Sequence, residues 1–339
     1  MRDIRLELTA SPHLKAPDST GRIMWSVVGS LVPVLAAAVW YFGPSAILVI
    51  GAATVGAVAT ERLFGSSGSL VDGSAAITGL LLGLTLPPGM PLWMAFLGGV
   101  FGIGFGKLLF GGLGQNVFNP ALVGRAFLQA AFPIAVTTWP STEGAWAALR
   151  GDNFALPLMS PAVADGTTAA TPLGLWKFDA VGTDLPSLVM GSTGGSLGET
   201  AGLLILVCGG YLALKNYLNW RIPVSIFATV AVLAGGLHLI DPASFEGAAT
   251  MLFSGGLILG AVYMATDMVT SPVTNTGAWI FGIGIGVMVV LIRAWGGLPE
   301  GVMYAILFMN ALVPFINRAT QPRVFGHPQR EPRAREAAA

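Results

Sequence analysis

"IMWSVVGSLVPVLAAAVWYF", residues 23–42, is twenty residues long and carries no charge. An α-helix rises 1.5 Å per residue, so about 20 apolar residues cross the roughly 30 Å hydrocarbon core of a bilayer. The run follows a tail of twenty-two residues. It is also longer than the apolar core of a signal peptide. It reads as the first transmembrane helix, and the rest of the chain repeats its character.

Of 339 residues, 54% are hydrophobic and 10% charged, against about 25% charged in an average soluble domain. Glycine contributes 46 residues, as expected where small side chains let helices approach closely in lipid. The formal net charge is zero, and no nucleic-acid partner is expected from it. The single cysteine, Cys208, lies in an apolar run, and His13, His238 and His327 are far apart. A disulfide framework or a thiolate iron–sulfur site within this chain alone is excluded, and no metal site is predicted.

Apolar runs and their breakers define ten candidate spans, at 23–42, 45–63, 74–87, 91–110, 118–137, 199–218, 222–240, 249–266, 277–295 and 300–317. The third stops at Pro87–Pro88, and the eighth carries Gly255–Gly256. Short or Gly/Pro-interrupted segments in corresponding halves predict discontinuous helices around a buried site. "FGKLLFGGLGQNVFNPALVG" resembles "VLIRAWGGLPEGVMYAILFMNALVP": a base, Gly-Gly-Leu, then a run with Asn ahead of Pro. The expected fold is an all-α polytopic membrane protein of two pseudo-symmetric five-helix halves with broken helices. Its regions are a tail 1–22, a first half 23–137, a loop 138–198, a second half 199–317 and a tail 318–339.

Positive charge sets the expected orientation. With the N-terminus inside, thirteen Lys and Arg residues fall on the cytoplasmic side and three (Arg150, Lys177, Arg293) outside, with Arg125 in a span. Both termini are then cytoplasmic and 138–198 extracytoplasmic, in a bacterial inner membrane. That loop is too long to be a mere connection.

The glycine runs "GIGFGK" (102–107) and "GIGIGV" (282–287) lie inside spans, so they read as helix-packing surfaces and not as dinucleotide loops. Asn116 and Asn119 stand three apart at a helix start, as ligand-binding amides or as a cap. The ionisable residues in or near spans are Asp72, Lys107, Arg125, Glu199, Asp267, Arg293 and Glu300. Lys107 and Arg293 read as snorkelling side chains. Asp72 and Asp267 flank the two interrupted segments, where a carboxylate beside freed carbonyls suits a cation; capping is the alternative. "DGTTAATPLG" (165–174) reads by itself as a hydrophilic turn.

Over nearly its full length the chain resembles the RnfD component of Rnf-type electron transport complexes. It is also similar to their relative, the NQR2 component of the sodium-pumping NADH:quinone reductase. "SPHL" (11–14), "GGLGQNVFNPALVGRAF", "MATDMVTSP" (264–272), "RAWGGLPEGVMYAILFMNALVP" (293–314) and "QPRVFGH" (321–327) carry the likeness. The quinone-reductase relative has Gly-Lys where this chain has Gly114–Gln115.

The resemblance implies a covalent FMN, joined through its phosphate to a threonine. On the family's acceptor motif, Thr171 is the acceptor, with Asp165 and Thr168 read by a flavin transferase. It further implies a non-covalent riboflavin at Asn116 and Asn119. The expected role is passing electrons between flavins, in a complex that moves Na+ or H+ while linking ferredoxin to NAD. The implied partners are the other Rnf components, among them a single-span protein with its own threonine-linked FMN, and iron–sulfur proteins. The alternative from the residues alone is a stand-alone solute channel or transporter of urea-channel-like architecture.

Overall fold

Ser19 opens the first helix by accepting a hydrogen bond from the Arg22 amide (3.3 Å). The helix, α1 (Thr20–Phe42), runs without interruption to Gly43. Gly43 has φ +67°, a conformation that costs glycine little, and Pro44 behind it starts α2 (Pro44–Phe64). The computed structural model describes residues 18–65, 69–140, 145–157, 171–179, 181–191, 193–199, 202–242 and 244–322. Among these, every regular element is helical.

The remaining helices are α3 (Ser74–Leu84), α4 (Leu92–Gly106), α5 (Pro120–Ala131), α6 (Pro133–Thr137), α7 (Pro172–Asp179) and α8 (Leu185–Met190). They are followed by α9 (Gly202–Leu214), α10 (Arg221–Ile240), α11 (Ala248–Phe253), α12 (Leu257–Leu259), α13 (Asn275–Trp295) and α14 (Val302–Thr320). A five-residue π-helical turn, Gly260–Met264, extends α12.

Among the described residues, six helical segments are long and apolar enough to cross a membrane: α1, α2, Leu92–Phe110, α10, α13 and α14. Trp40, Val55, Leu63, Val232 and Leu239 stand exposed along them, which suits contact with lipid and not with water. The chain is a polytopic helical membrane protein. The expected segment 74–87 is the short α3, ended at Pro87–Pro88, and 249–266 is broken at Gly255–Gly256 into α11 and α12. A third break was not expected. Segment 118–137 divides at Phe132, because Pro133 has no amide hydrogen and its ring cannot follow a helical turn.

Packing follows one order in both parts of the chain. α2 packs on α3 and α4, and α4 on α5; α10 packs on α11 and α13, and α13 on α14. The two sets meet through α1 against α9 and α5 against α14. The glycine runs serve this packing. A β-carbon at Gly102 would stand 2.8 Å from the Pro120 carbonyl, and one at Gly286 2.7 Å from the Thr229 β-carbon.

A broken helix frees backbone groups that lipid cannot satisfy, and each break is closed by distant residues. Beyond α3, the Leu84 and Leu86 carbonyls accept from the Gly198 (2.6 Å) and Leu197 (3.1 Å) amides. The buried Asn153 amide donates to Pro88 (2.9 Å) and Met90 (3.0 Å) carbonyls. Beyond α11, the Arg293 guanidinium donates to the Met251 (2.6 Å) and Ser254 (3.0 Å) carbonyls. The Gly256 amide that opens α12 donates to Glu300 (2.7 Å). Arg293 is therefore buried and turned inward, not snorkelling.

Candidate functional site

The polar residues gather in two clefts at opposite ends of α1. At the end where α1 begins, Asp72 accepts from both the amide (2.8 Å) and the hydroxyl (2.6 Å) of Ser74, the first residue of α3. The Ser74 oxygen in turn accepts from Lys107 Nζ (2.6 Å), and Lys107 pairs with Glu61 (2.5 Å). Lys107 and Glu61 are 2% and 1% exposed. Lys107 thus does not snorkel. It anchors a buried ion pair, and removing either partner of such a pair typically costs about 3–5 kcal/mol. Glu61 was not singled out in the sequence, because beside Arg62 it reads as part of a solvated helix end.

Asn119 is the N-cap of α5. Its Oδ1 accepts from the Ala121 (3.0 Å) and Leu122 (3.4 Å) amides, and its Nδ2 donates to the Met264 carbonyl (3.1 Å). Its own amide donates to Asn310 Oδ1 (3.4 Å), and Asn310 Nδ2 donates to the Thr270 carbonyl (3.0 Å). The asparagines of the two similar sequence runs therefore meet where the two parts of the chain join. Asn116 precedes the helix and is less committed. Its Nδ2 makes one long bond to the Phe118 carbonyl (3.3 Å), and its side chain lies within hydrogen-bonding reach of Asp267. Asp267 accepts from the Val269 amide (3.3 Å) and the Thr270 hydroxyl (3.2 Å).

Asn116, Asn119, Asp267, Lys107 and Ser74 line one cleft with Tyr217, Tyr263 and Thr266. Asp72 stands one hydrogen bond behind it, through Ser74. The cleft encloses about 90 Å³, well below the roughly 300–1,000 Å³ of pockets that bury a whole ligand. A flavin ring held by Asn116 would seat there by an edge only.

The second cleft, about 610 Å³, lies at the far end, and Thr171 is in its wall. Thr171 is placed by α7. Its hydroxyl accepts from the Gly174 amide (3.1 Å) and its carbonyl from Leu175 (2.8 Å), so it caps the N-terminus of that helix. Lys177, later in α7, donates to the carbonyls of Arg293 (3.1 Å), Gly296 (2.5 Å) and Leu298 (2.9 Å) at the end of α13. Burial lowers the Lys177 pKa. Four acceptor contacts in total, with Ile292 at 3.5 Å, hold α7 over the cleft. Asp165 and Thr168 lie outside the described residues.

Across this cleft stand Arg125 and Gln129, one turn apart on α5, with Glu199 and Glu300. Arg125 Nη2 pairs with Glu300 (3.3 Å), while its buried Nη1 has no hydrogen-bond partner among the described residues. An orphaned, buried donor opposite a helix-capping threonine suits an anionic or acceptor-rich group filling the space between. The cleft's size fits a flavin mononucleotide.

Residues 7–326 match the model of the NQR2, RnfD, RnfE family. The chain belongs to this family. Among its members, the D subunit of the ion-translocating oxidoreductase complex of Stutzerimonas stutzeri is 43% identical over 330 residues, 91% of this chain and 92% of the relative. The D subunit of the proton-translocating ferredoxin:NAD(+) oxidoreductase complex of Clostridium ljungdahlii is 39% identical over 339 aligned residues (94% and 96%). The Na(+)-translocating counterpart of Acetobacterium woodii is 38% identical over 335 (96% and 97%). Near-complete coverage on both sides means that both clefts lie within the aligned family chain.

Proposed function

We propose that this chain is the RnfD component of an Rnf-type complex, in which electron transfer between ferredoxin and NAD drives Na+ or H+ across a bacterial inner membrane. The names of its relatives support that reading. Within the complex the chain holds FMN by a phosphoester on Thr171. The observation that carries this is Thr171 itself: a capping hydroxyl in the wall of a 610 Å³ cleft, opposite an orphaned arginine donor.

A phosphate on Thr171 meets the N-terminus of α7, where the free amides and the helix dipole favour negative charge. Lys177 fixes that helix, Arg125 supplies positive charge across the cleft, and the apolar walls (Leu173, Phe178, Met303) exclude water from a ring. The flavin itself supplies one- and two-electron chemistry; the protein supplies position and electrostatics. In the other cleft Asn116 holds the edge of a riboflavin, while Asn119 keeps the helix start that presents it. Asp72 and Asp267 serve ion coupling at that same end.

Other Rnf components deliver and accept the electrons: iron–sulfur proteins and a single-span protein with its own linked FMN. A flavin transferase reads Asp165 and Thr168 during attachment. A stand-alone channel of the urea-channel kind leaves the Thr171 cleft without a role. The test is in-gel flavin fluorescence after denaturation, with the transferase co-expressed. Thr171→Ala should abolish it and Thr167→Ala should keep it. Persistent fluorescence in Thr171→Ala would refute the attachment.

A further inference from the structure

Arg125 occupies an unusual position. Its side chain is buried, at 7% exposure, in a helix that faces the cleft. One terminal nitrogen is committed to Glu300, and Glu300 is itself committed, through its other oxygen, to the Gly256 amide at the helix break. The second terminal nitrogen is without a partner among the described residues. An arginine kept only to hold Glu300 needs one nitrogen; the buried second donor remains a cost unless something accepts from it. The phosphate already has the N-terminus of α7, where the Leu173 and Gly174 amides stand beside Thr171. The acceptor facing Arg125 from across the cleft is then the other end of the tethered group.

We propose that Arg125 is the positioning residue for the flavin ring tethered at Thr171: Nη1 donates to the acceptor edge of the ring, and the Arg125–Glu300 pair sets its redox potential. The inference rests on the Thr171 reading. A ring takes up negative charge on reduction, and a fixed cation at its edge favours that state. Glu300 opposes the effect by neutralising part of the cation. Arg125 and Glu300 therefore pull the potential in opposite directions, which a purely structural ion pair would not do.

The test uses the whole purified complex, titrated electrochemically while the covalent flavin is followed by its absorbance. Arg125→Gln should weaken the preference for the reduced form about tenfold, a downward shift of about 59 mV for a one-electron couple. Arg125→Lys should recover part of that shift. Glu300→Gln keeps the acceptor for the Gly256 amide and should move the potential upward. In-gel fluorescence of each variant reports attachment separately, so a wild-type chain without covalent flavin defeats the Thr171 reading and not this one. Attached flavin whose potential is unchanged in Arg125→Gln, or moves the same way in Arg125→Gln and Glu300→Gln, overturns the inference. Should Arg125→Gln fail to assemble, the sign of the Glu300→Gln shift decides alone.

Discussion

Arg293→Met is the substitution whose cost the structure fixes most directly. The guanidinium closes the break in the second half by donating to two carbonyls at the end of α11, at 2.6 and 3.0 Å. It is 5% exposed, so water cannot readily replace it. Hydrogen bonds from a charged donor contribute about 1.5–3 kcal/mol each, and methionine fills similar volume without donating. The loss should be roughly 3–6 kcal/mol, which lowers the unfolding temperature by roughly 5–15 °C for a chain of this size. Arg293→Lys keeps the charge but has no planar fork for two carbonyls, so it should recover about half. The assay is thermal unfolding of the purified protein in detergent, followed by tryptophan fluorescence. A Met variant melting within about 2 °C of wild type, or a Lys variant indistinguishable from wild type, would refute the claim that Arg293 caps the broken helix.

Three further outcomes follow from the two clefts and their surroundings. Asn116→Leu should lower extractable riboflavin affinity by about 5- to 150-fold, the loss of one dry amide bond worth about 1–3 kcal/mol, while leaving covalent FMN intact; Asn119→Leu should in addition cost about 1 kcal/mol of stability as a lost cap, and unchanged flavin in both variants would reduce the pair to capping. Asp72→Asn and Asp267→Asn retain an oxygen for the Ser74 and Val269 amides, so assembly should stay normal while ions moved per electron fall; wild-type ratios, or lost assembly, count against ion coupling. Glu246, buried in the connection between α10 and α11, has its carboxyl pushed from 4.5 up to about 7 by burial, with the Arg293 charge opposing. The native state then binds the proton more tightly than the unfolded chain, so stability falls as pH rises through 4.5 to 7 and levels off above. Glu246→Gln should match wild type near pH 4.5 and gain up to about 3 kcal/mol at pH 8; a gain independent of pH would exclude the titration.

The membrane class and segment pattern were legible because each rests on local composition: "IMWSVVGSLVPVLAAAVWYF" spans by length, and Pro87–Pro88 and Gly255–Gly256 announce breaks by chemistry. What closes the breaks was not legible. Arg293 and Glu300 lie more than forty residues from the groups they satisfy, and Asn153 more than sixty from Pro88 and Met90. Only tertiary packing brings them there. Snorkelling was the wrong expectation for Lys107 and Arg293 for the same reason: their partners, Glu61 and the α11 carbonyls, are invisible along the chain. The Asn116/Asn119 spacing did mark a shared cleft, but not that Asn119 spends its oxygen on capping α5. Thr171 was legible only through the family's motif. Its capping of α7 depends on an eight-residue helix held from outside by Lys177.

The central claim is that this chain carries its flavin on Thr171. The most direct measurement is tandem mass spectrometry of proteolytic fragments from the complex, purified from cells that hold the flavin transferase. The fragment ions should place one FMN, less one water, on Thr171, and leave Thr167 and Thr168 unmodified. A flavin located on another residue, or an unmodified Thr171 in protein that is otherwise fully active, would contradict the account.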